Sequence, residues 1–307
     1  MSFYDFWDVL VLGAVLGSLY AVIAIGYTLV YGVLQLLNFA HSEVFMVGGF
    51  GGVIALTMVV PAADPSGWQS VLYVALGMLF GAVLGGLVAF FLEKVAYRPL
   101  RKRGAPRLVF LITAIGASFF LYNLAGKLFG RNPMPMPRMY ENKKVVTIFE
   151  SSLSITQLLI LGSAVVMLIS VDFVVNRTKL GSGIRAVAQD PEVASLMGVN
   201  IDKVVSRTFV LGGLMGGVAG FLFGTTNQVF YTMGFLPGIT AFAAAVLGGI
   251  GNVRGAMLGG LTLGIVEAFT VEVFGDAWRY FGAFTVLVLV LMFRPTGLLG
   301  ERVARTA

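Results

Sequence analysis

Long apolar runs separated by short polar segments set the plan of this chain. They cover residues 9–34, 44–60, 71–92, 108–129, 155–175, 208–223, 256–274 and 281–293. A helix needs about 20 apolar residues to cross a bilayer, so these runs predict spanning helices. A shorter, glycine-rich run over 235–250 either spans or is re-entrant. The expected fold class is all-α: an integral membrane protein, a polytopic helical bundle of about eight or nine transmembrane helices, some broken by glycine or polar segments. Residues 1–307 read as one continuous membrane domain.

Basic residues orient these spans, because cytoplasmic loops collect Lys and Arg. Residues 97–107 (YRPLRKRGAPR) hold five of them and no acid, which places this loop inside. Counting outward from it gives an N-out, C-in topology with 130–154 outside and 176–207 inside. With nine spans, fifteen of the 21 Lys and Arg fall inside and six outside. A re-entrant 235–250 would move Arg294, Arg302 and Arg305 outside and weaken the bias. Trp68, Trp278 and Tyr280 fall at the outer boundaries, where amphipathic rings settle. The acidic start (MSFYDFWD) differs from the basic n-region of a signal peptide, so no cleavable signal is expected.

Composition sharpens this reading. Charged residues make up 12% of the chain, against roughly a quarter in soluble domains, and the mean hydropathy is +0.91. The net charge of +6 comes from basic residues at the ends of apolar runs, so no nucleic-acid partner is implied. With no cysteine and one histidine, disulfides, thiolate sites and multi-histidine metal sites are excluded. Paired glycines such as Gly48-Gly49, Gly85-Gly86, Gly216-Gly217 and Gly259-Gly260 predict helices packed closely through small residues.

Two polar segments are too long to be simple connectors. Residues 130–154 carry a Pro-x-Pro pattern that prevents helix; they read as a connector or as part of a docking surface for an external partner. Residues 176–207 carry their own helix punctuation. Asp190 is a good N-cap, Pro191 suits the first helical position and Glu192 favours the positive helix end. Gly198 is a suitable stop, and Asn200 caps the helix that enters the next span. The enclosed two-turn helix either transmits force to a cytoplasmic partner or lies in the membrane interface.

Ionisable groups inside the apolar runs are candidates for a translocation path. Asn38, His41 and Glu43 sit where one run ends and the next begins. Asn38 or Ser42 caps the second helix there, with His41 and Glu43 as a solvated boundary pair; alternatively the helix breaks at membrane depth and these groups line a path. Glu267 lies midway along its run, lining a path or facing the bundle interior against a buried amide or an arginine. The segment 38–56 and the segment 241–261 are both polar-interrupted and glycine-rich, a pattern that matching halves of a transporter share. Residues 248–252 (GGIGN) are not a phosphate loop, since no Lys-Ser/Thr follows and no strand precedes. No catalytic, cofactor-binding or metal-binding residues are expected, and no cofactor.

Residues 192–198 (EVASLMG) resemble the E-A-A-x3-G signature of ABC-importer permeases. The isoleucine and Leu-Pro of its longer form are missing, which argues against the most familiar importer class. Residues 183–200 (GIRAVAQDPEVASLMGVN), 20–48 (YAVIAIGYTLVYGVLQLLNFAHSEVFMVG) and 241–260 (AFAAAVLGGIGNVRGAMLGG) each resemble the branched-chain amino-acid class, in its H-type permease subunit. The blocks fall in the expected order and the resemblance runs end to end. Ser42 stands where glycine is usual. The resemblance implies a non-catalytic permease for leucine, isoleucine or valine in a bacterial or archaeal plasma (inner) membrane. Its implied partners are a second, similar permease subunit, two cytoplasmic ABC ATPase subunits, an external solute-binding protein and membrane lipid. Asp190, Pro191, Glu192, Ala194 and Gly198 would then couple to the ATPases. The alternatives are a permease of the same family for urea, amides or other amino acids, and a stand-alone secondary transporter or channel. An intramembrane enzyme lacks any paired catalytic constellation.

Overall fold

Each apolar run is a helix in the computed structural model, which describes residues 3–60, 67–141, 143–148 and 151–300. The order is α1 (Phe3–Leu34), α2 (His41–Val59), α3 (Trp68–Phe91), α4 (Arg98–Lys102), α5 (Arg107–Leu128), β1 (Lys144–Ile148), β2 (Ser151–Ser154), α6 (Ile155–Arg177), α7 (Lys179–Gln189), α8 (Pro191–Leu196), α9 (Ile201–Thr226), α10 (Phe235–Gly248), α11 (Val253–Phe274) and α12 (Arg279–Phe293). A π-helical stretch, Leu92–Tyr97, joins α3 to α4. Among the described residues, eight helices are long and apolar enough to cross a membrane. The shorter α10 has 14 residues. Arg302 and Arg305, used in the charge count, lie outside the described residues.

The chain forms two compact units, each assembled from separated segments. One unit takes residues 29–143 and 173–238. Its centre is the trio α2, α3 and α9, and glycine explains why their backbones meet. A Cβ on Gly85 would lie 2.5 Å from the Gly213 carbonyl oxygen, and one on Gly81 would lie 2.9 Å from that of Gly217. The Phe221 ring fills the space that Gly52 and Gly77 leave open. Small residues substitute here for the hydrophobic effect, which gives no drive for helix association in lipid. In contrast, α5 turns Ile112, Phe119, Phe120 and Leu124 outward. A continuous apolar outer face of this kind is a membrane-facing surface, not a soluble one.

The other unit takes residues 1–28, 144–172 and 239–307. Here α1 lies against α11: Cβ atoms on Gly13 and Gly17 would each fall 2.7 Å from a backbone Cα, of Ile265 and Leu261 respectively. Asn252 caps α11 by accepting from the Arg254 and Gly255 amides at 3.0 and 3.1 Å. The segment after α12 closes back on the α10–α11 turn, with Leu298 N–H donating to the Leu247 carbonyl at 2.8 Å and Leu299 N–H to that of Gly248 at 2.9 Å.

Two elements were not anticipated from the sequence. Within 130–154, β1 and β2 pair antiparallel with Val146 opposite Leu153 and an irregularity between Lys144 and Val146. The run Val-Val-Thr-Ile favours strand because β-branched side chains fit a pleated surface. Within 176–207, α7 precedes the expected short helix, and Thr178 caps it by accepting from the Gly181 amide at 3.2 Å. Its stripe Leu180, Ile184, Val187 has helical spacing.

Candidate functional site

The α8 helix is built as its residues dictate. Asp190 Oδ1 accepts from the Glu192 and Val193 amides at 2.9 and 3.0 Å, satisfying two orphan donors of the first turn. Pro191 occupies the first turn, where its missing N–H costs nothing. Gly198 adopts φ +85°, and the amides of Gly198 and Val199 donate to the Ser195 and Ala194 carbonyls at 3.0 Å. That left-handed residue closes the helix. Asn200 Oδ1 then accepts from the Lys203 amide at 3.0 Å and starts α9.

One face of α8 is anchored and the other is free. Ala194 is buried in a cluster with Ile184 and Val187 of α7, Val204 and Phe209 of α9, and Tyr97. Leu196 and Met197 are 87% and 80% exposed, and Val193 is exposed as well. These three apolar side chains, on α8 and its C-cap, stay exposed outside the apolar runs. The sequence reading named the cap and the stop but missed these three. Their i, i+3, i+4 spacing, at 193, 196 and 197, was the available signal.

At the α1–α2 break the structure corrects one expectation. Neither Asn38 nor Ser42 caps α2 through its side chain; the N-cap is Ala40, without a side-chain bond. Asn38 Oδ1 accepts instead from the Tyr97 hydroxyl at 2.6 Å. The Ser42 hydroxyl donates to the Phe39 carbonyl at 2.8 Å. His41 and Glu43 are not a solvated pair: they are 1% and 2% exposed. The physical reason is packing: Gln35, at φ +50°, ends α1 at Leu34, and the first turn of α2, His41 to Val44, is buried among neighbouring helices. The His41 ring lies over Gly216, where an added Cβ would be 3.3 Å from its Cε1. Glu43 Oε1 accepts from the Ser118 hydroxyl at 3.0 Å and from Ser42 at 3.3 Å. Before α10, residues 231–234 form a turn, and Gly234 there sits against the Ser42 backbone.

Glu267 belongs to the other unit, while Asn38, His41 and Glu43 lie together in the first. It is fully buried, and Arg279 Nη1 donates to its Oε1 at 3.1 Å. This matches the arginine-paired alternative. Among the described residues, no group of three or more His, Cys, Asp or Glu is arranged to hold a metal ion.

Eight described helices long and apolar enough to cross a membrane define a polytopic membrane protein. The family model described as "Branched-chain amino acid transport system / permease component" matches residues 9–293, and the chain belongs to that family. It is similar to the high-affinity branched-chain amino acid transport system permease protein BraD of Pseudomonas aeruginosa, 41% identical over 97% of both chains. It is 39% identical to the permease protein LivH of Escherichia coli K12, over 94% of both chains. A probable LivH of Methanocaldococcus jannaschii is 27% identical over 94% of this chain and 91% of its own length.

Proposed function

We propose that the chain is the membrane permease subunit of an ABC importer that carries leucine, isoleucine and valine across a bacterial or archaeal plasma membrane. Residues 1–307 act as one permease domain, N-terminus outside and C-terminus inside, paired with a second, similar permease. The observation that carries this reading is α8. Its caps keep a two-turn helix folded outside the apolar runs, and Val193, Leu196 and Met197 stand free on it. A preformed element loses little entropy on docking, which suits repeated engagement by two cytoplasmic ATPases. Asp190, Pro191, Ala194 and Gly198 shape that element, and Glu192 lies on its exposed side. An external binding protein delivers substrate, and ATP hydrolysis resides in the partner subunits.

The buried polar segment at Asn38, His41 and Glu43 supports a path beside the α1–α2 break. Irregular backbone at membrane depth is tolerated only where it is buried in protein or lines a cavity. Glu267 in its arginine pair is a structural group within its own unit. The test is purification of the tagged chain from its native membrane with mass spectrometry of the retained subunits. A second permease, an ABC ATPase and uptake of branched-chain amino acids are the expected result. Recovery as a lone chain that transports without ATP would overturn the proposal.

A further inference from the structure

Below the α2–α3–α9 trio, a fully buried carboxylate ties α3 to the start of α9. Glu93 is 0% exposed. Its Oε1 accepts from Arg101 Nη2 at 2.9 Å, and its Oε2 from the Ser206 hydroxyl at 2.6 Å. Arg101 Nη2 also reaches Asp202 Oδ1, while Arg98 donates to Asp202 Oδ2 through Nε at 3.0 Å and Nη2 at 2.8 Å. Asp202 and Ser206 are four apart on α9, so they share one helix face. The cluster therefore grips the first two turns of α9 from one side.

Its backbone setting is unusual. Glu93 lies in the π-helical stretch, where the Arg98 amide donates to the Glu93 carbonyl. Pro99 follows directly and has neither an N–H to give nor room against the carbonyl four residues back. The wider turn accommodates that proline and carries Arg98 and Arg101 round to Asp202. Single π-turns of this kind concentrate at functional sites.

The position of the cluster gives it a role. Between α8 and Asp202 the chain has only five residues, 197–201, and Gly198 and Asn200 are fixed by their own bonds. A displacement of α8 thus arrives first at the α9 turn that Arg98 and Arg101 hold. Past the cluster, α3 and α9 are in backbone contact at Gly85 and Gly213. We infer that Glu93, Arg98, Arg101 and Asp202 are positioning residues that make α3 and α9 move as one body with α8, so that ATPase motion reaches the membrane helices. This rests on the reading of α8 as the ATPase contact.

The test uses the whole transporter with its partner permease, ATPases and binding protein, reconstituted in liposomes. Asp202→Asn and Glu93→Gln keep side-chain shape and remove the charge. Both should retain the ATPase and its hydrolysis, while uptake per ATP falls about tenfold, within the range by which residues joining two sites change coupling. Asp202→Glu, which restores the carboxylate, should recover most of the uptake. Full uptake per ATP in both isosteric variants overturns the inference, as does loss of membrane abundance in both, which would make the cluster a folding element. Leu196→Asp separates the underlying reading. If that variant keeps its ATPase, α8 is not the contact; if it loses the ATPase while Asp202→Asn stays fully coupled, the cluster alone is refuted.

Discussion

The Tyr20 hydroxyl donates a 3.0 Å hydrogen bond to Oε1 of Glu267, joining α1 to α11 within one unit. The same oxygen takes Arg279 from the start of α12, and Arg279 also holds Asp276. The acid at depth thus has an arginine and a phenol as partners, and the α11–α12 turn is pinned by charge. A buried carboxylate becomes costly when its cation is removed, more than when the carboxylate itself is neutralised.

That asymmetry gives the first expected outcome. Glu267→Gln should keep most uptake, because an amide still accepts from Tyr20 and Arg279. Arg279→Leu should destabilise the fold by about 3 kcal/mol, since it leaves Glu267 buried without its cation. Thermal unfolding of the purified complex reads both. Abolished transport in Glu267→Gln would instead assign the acid to the transport step.

Helix packing gives the second. Gly217→Ala would press a methyl into the α3 backbone at Gly81, where a Cβ has no room. Overpacking of this kind costs about 1–3 kcal/mol, and neither backbone can shift easily within the trio. Gly162→Ala, in α6, meets nothing within 4 Å and should gain up to about 1 kcal/mol from helix propensity. Equal melting temperatures for the two variants would contradict the close-packing account.

Most of the helices were legible because an apolar run long enough to span has few other structures open to it. The run over 108–129 is α5 at Arg107–Leu128, and that over 256–274 is α11 at Val253–Phe274. The caps Asp190 and Asn200 were legible because capping is local chemistry within three residues. What escaped depends on distant partners. Asn38 looked like a cap, but Tyr97, 59 residues away, takes its side chain. For Glu43 a solvated boundary and a place on a path both stayed open, because the sequence cannot show that Ser118, 75 residues away, meets its carboxylate. Nothing in the sequence marked Glu93, since its arginine and its serine arrive from different helices.

Orientation is the third expectation. The chain has no cysteine, so single cysteines can be introduced on a clean background. Replacements at Gly67 and Tyr140 should react with an impermeant maleimide in intact cells. A replacement at Lys102, in the basic loop, should react only after permeabilisation. External labelling at Lys102 would invert the proposed topology.

The last expectation concerns Gly198. Its φ of +85° is one that L side chains rarely adopt, and a Cβ there would meet nothing within 4 Å. Any effect of substitution must therefore come from the backbone and not from a clash. Valine, branched at Cβ, resists the left-handed conformation by about 1–2 kcal/mol. Asparagine visits that region readily. Gly198→Val should loosen the end of α8, weaken retention of the ATPase and cost most of the uptake, while membrane abundance stays normal because the apolar runs are untouched. Gly198→Asn should keep both uptake and retention close to wild type. If the two variants behave alike, the left-handed turn is not what holds α8 in shape, and the coupling role would have to rest on the exposed Val193, Leu196 and Met197 alone.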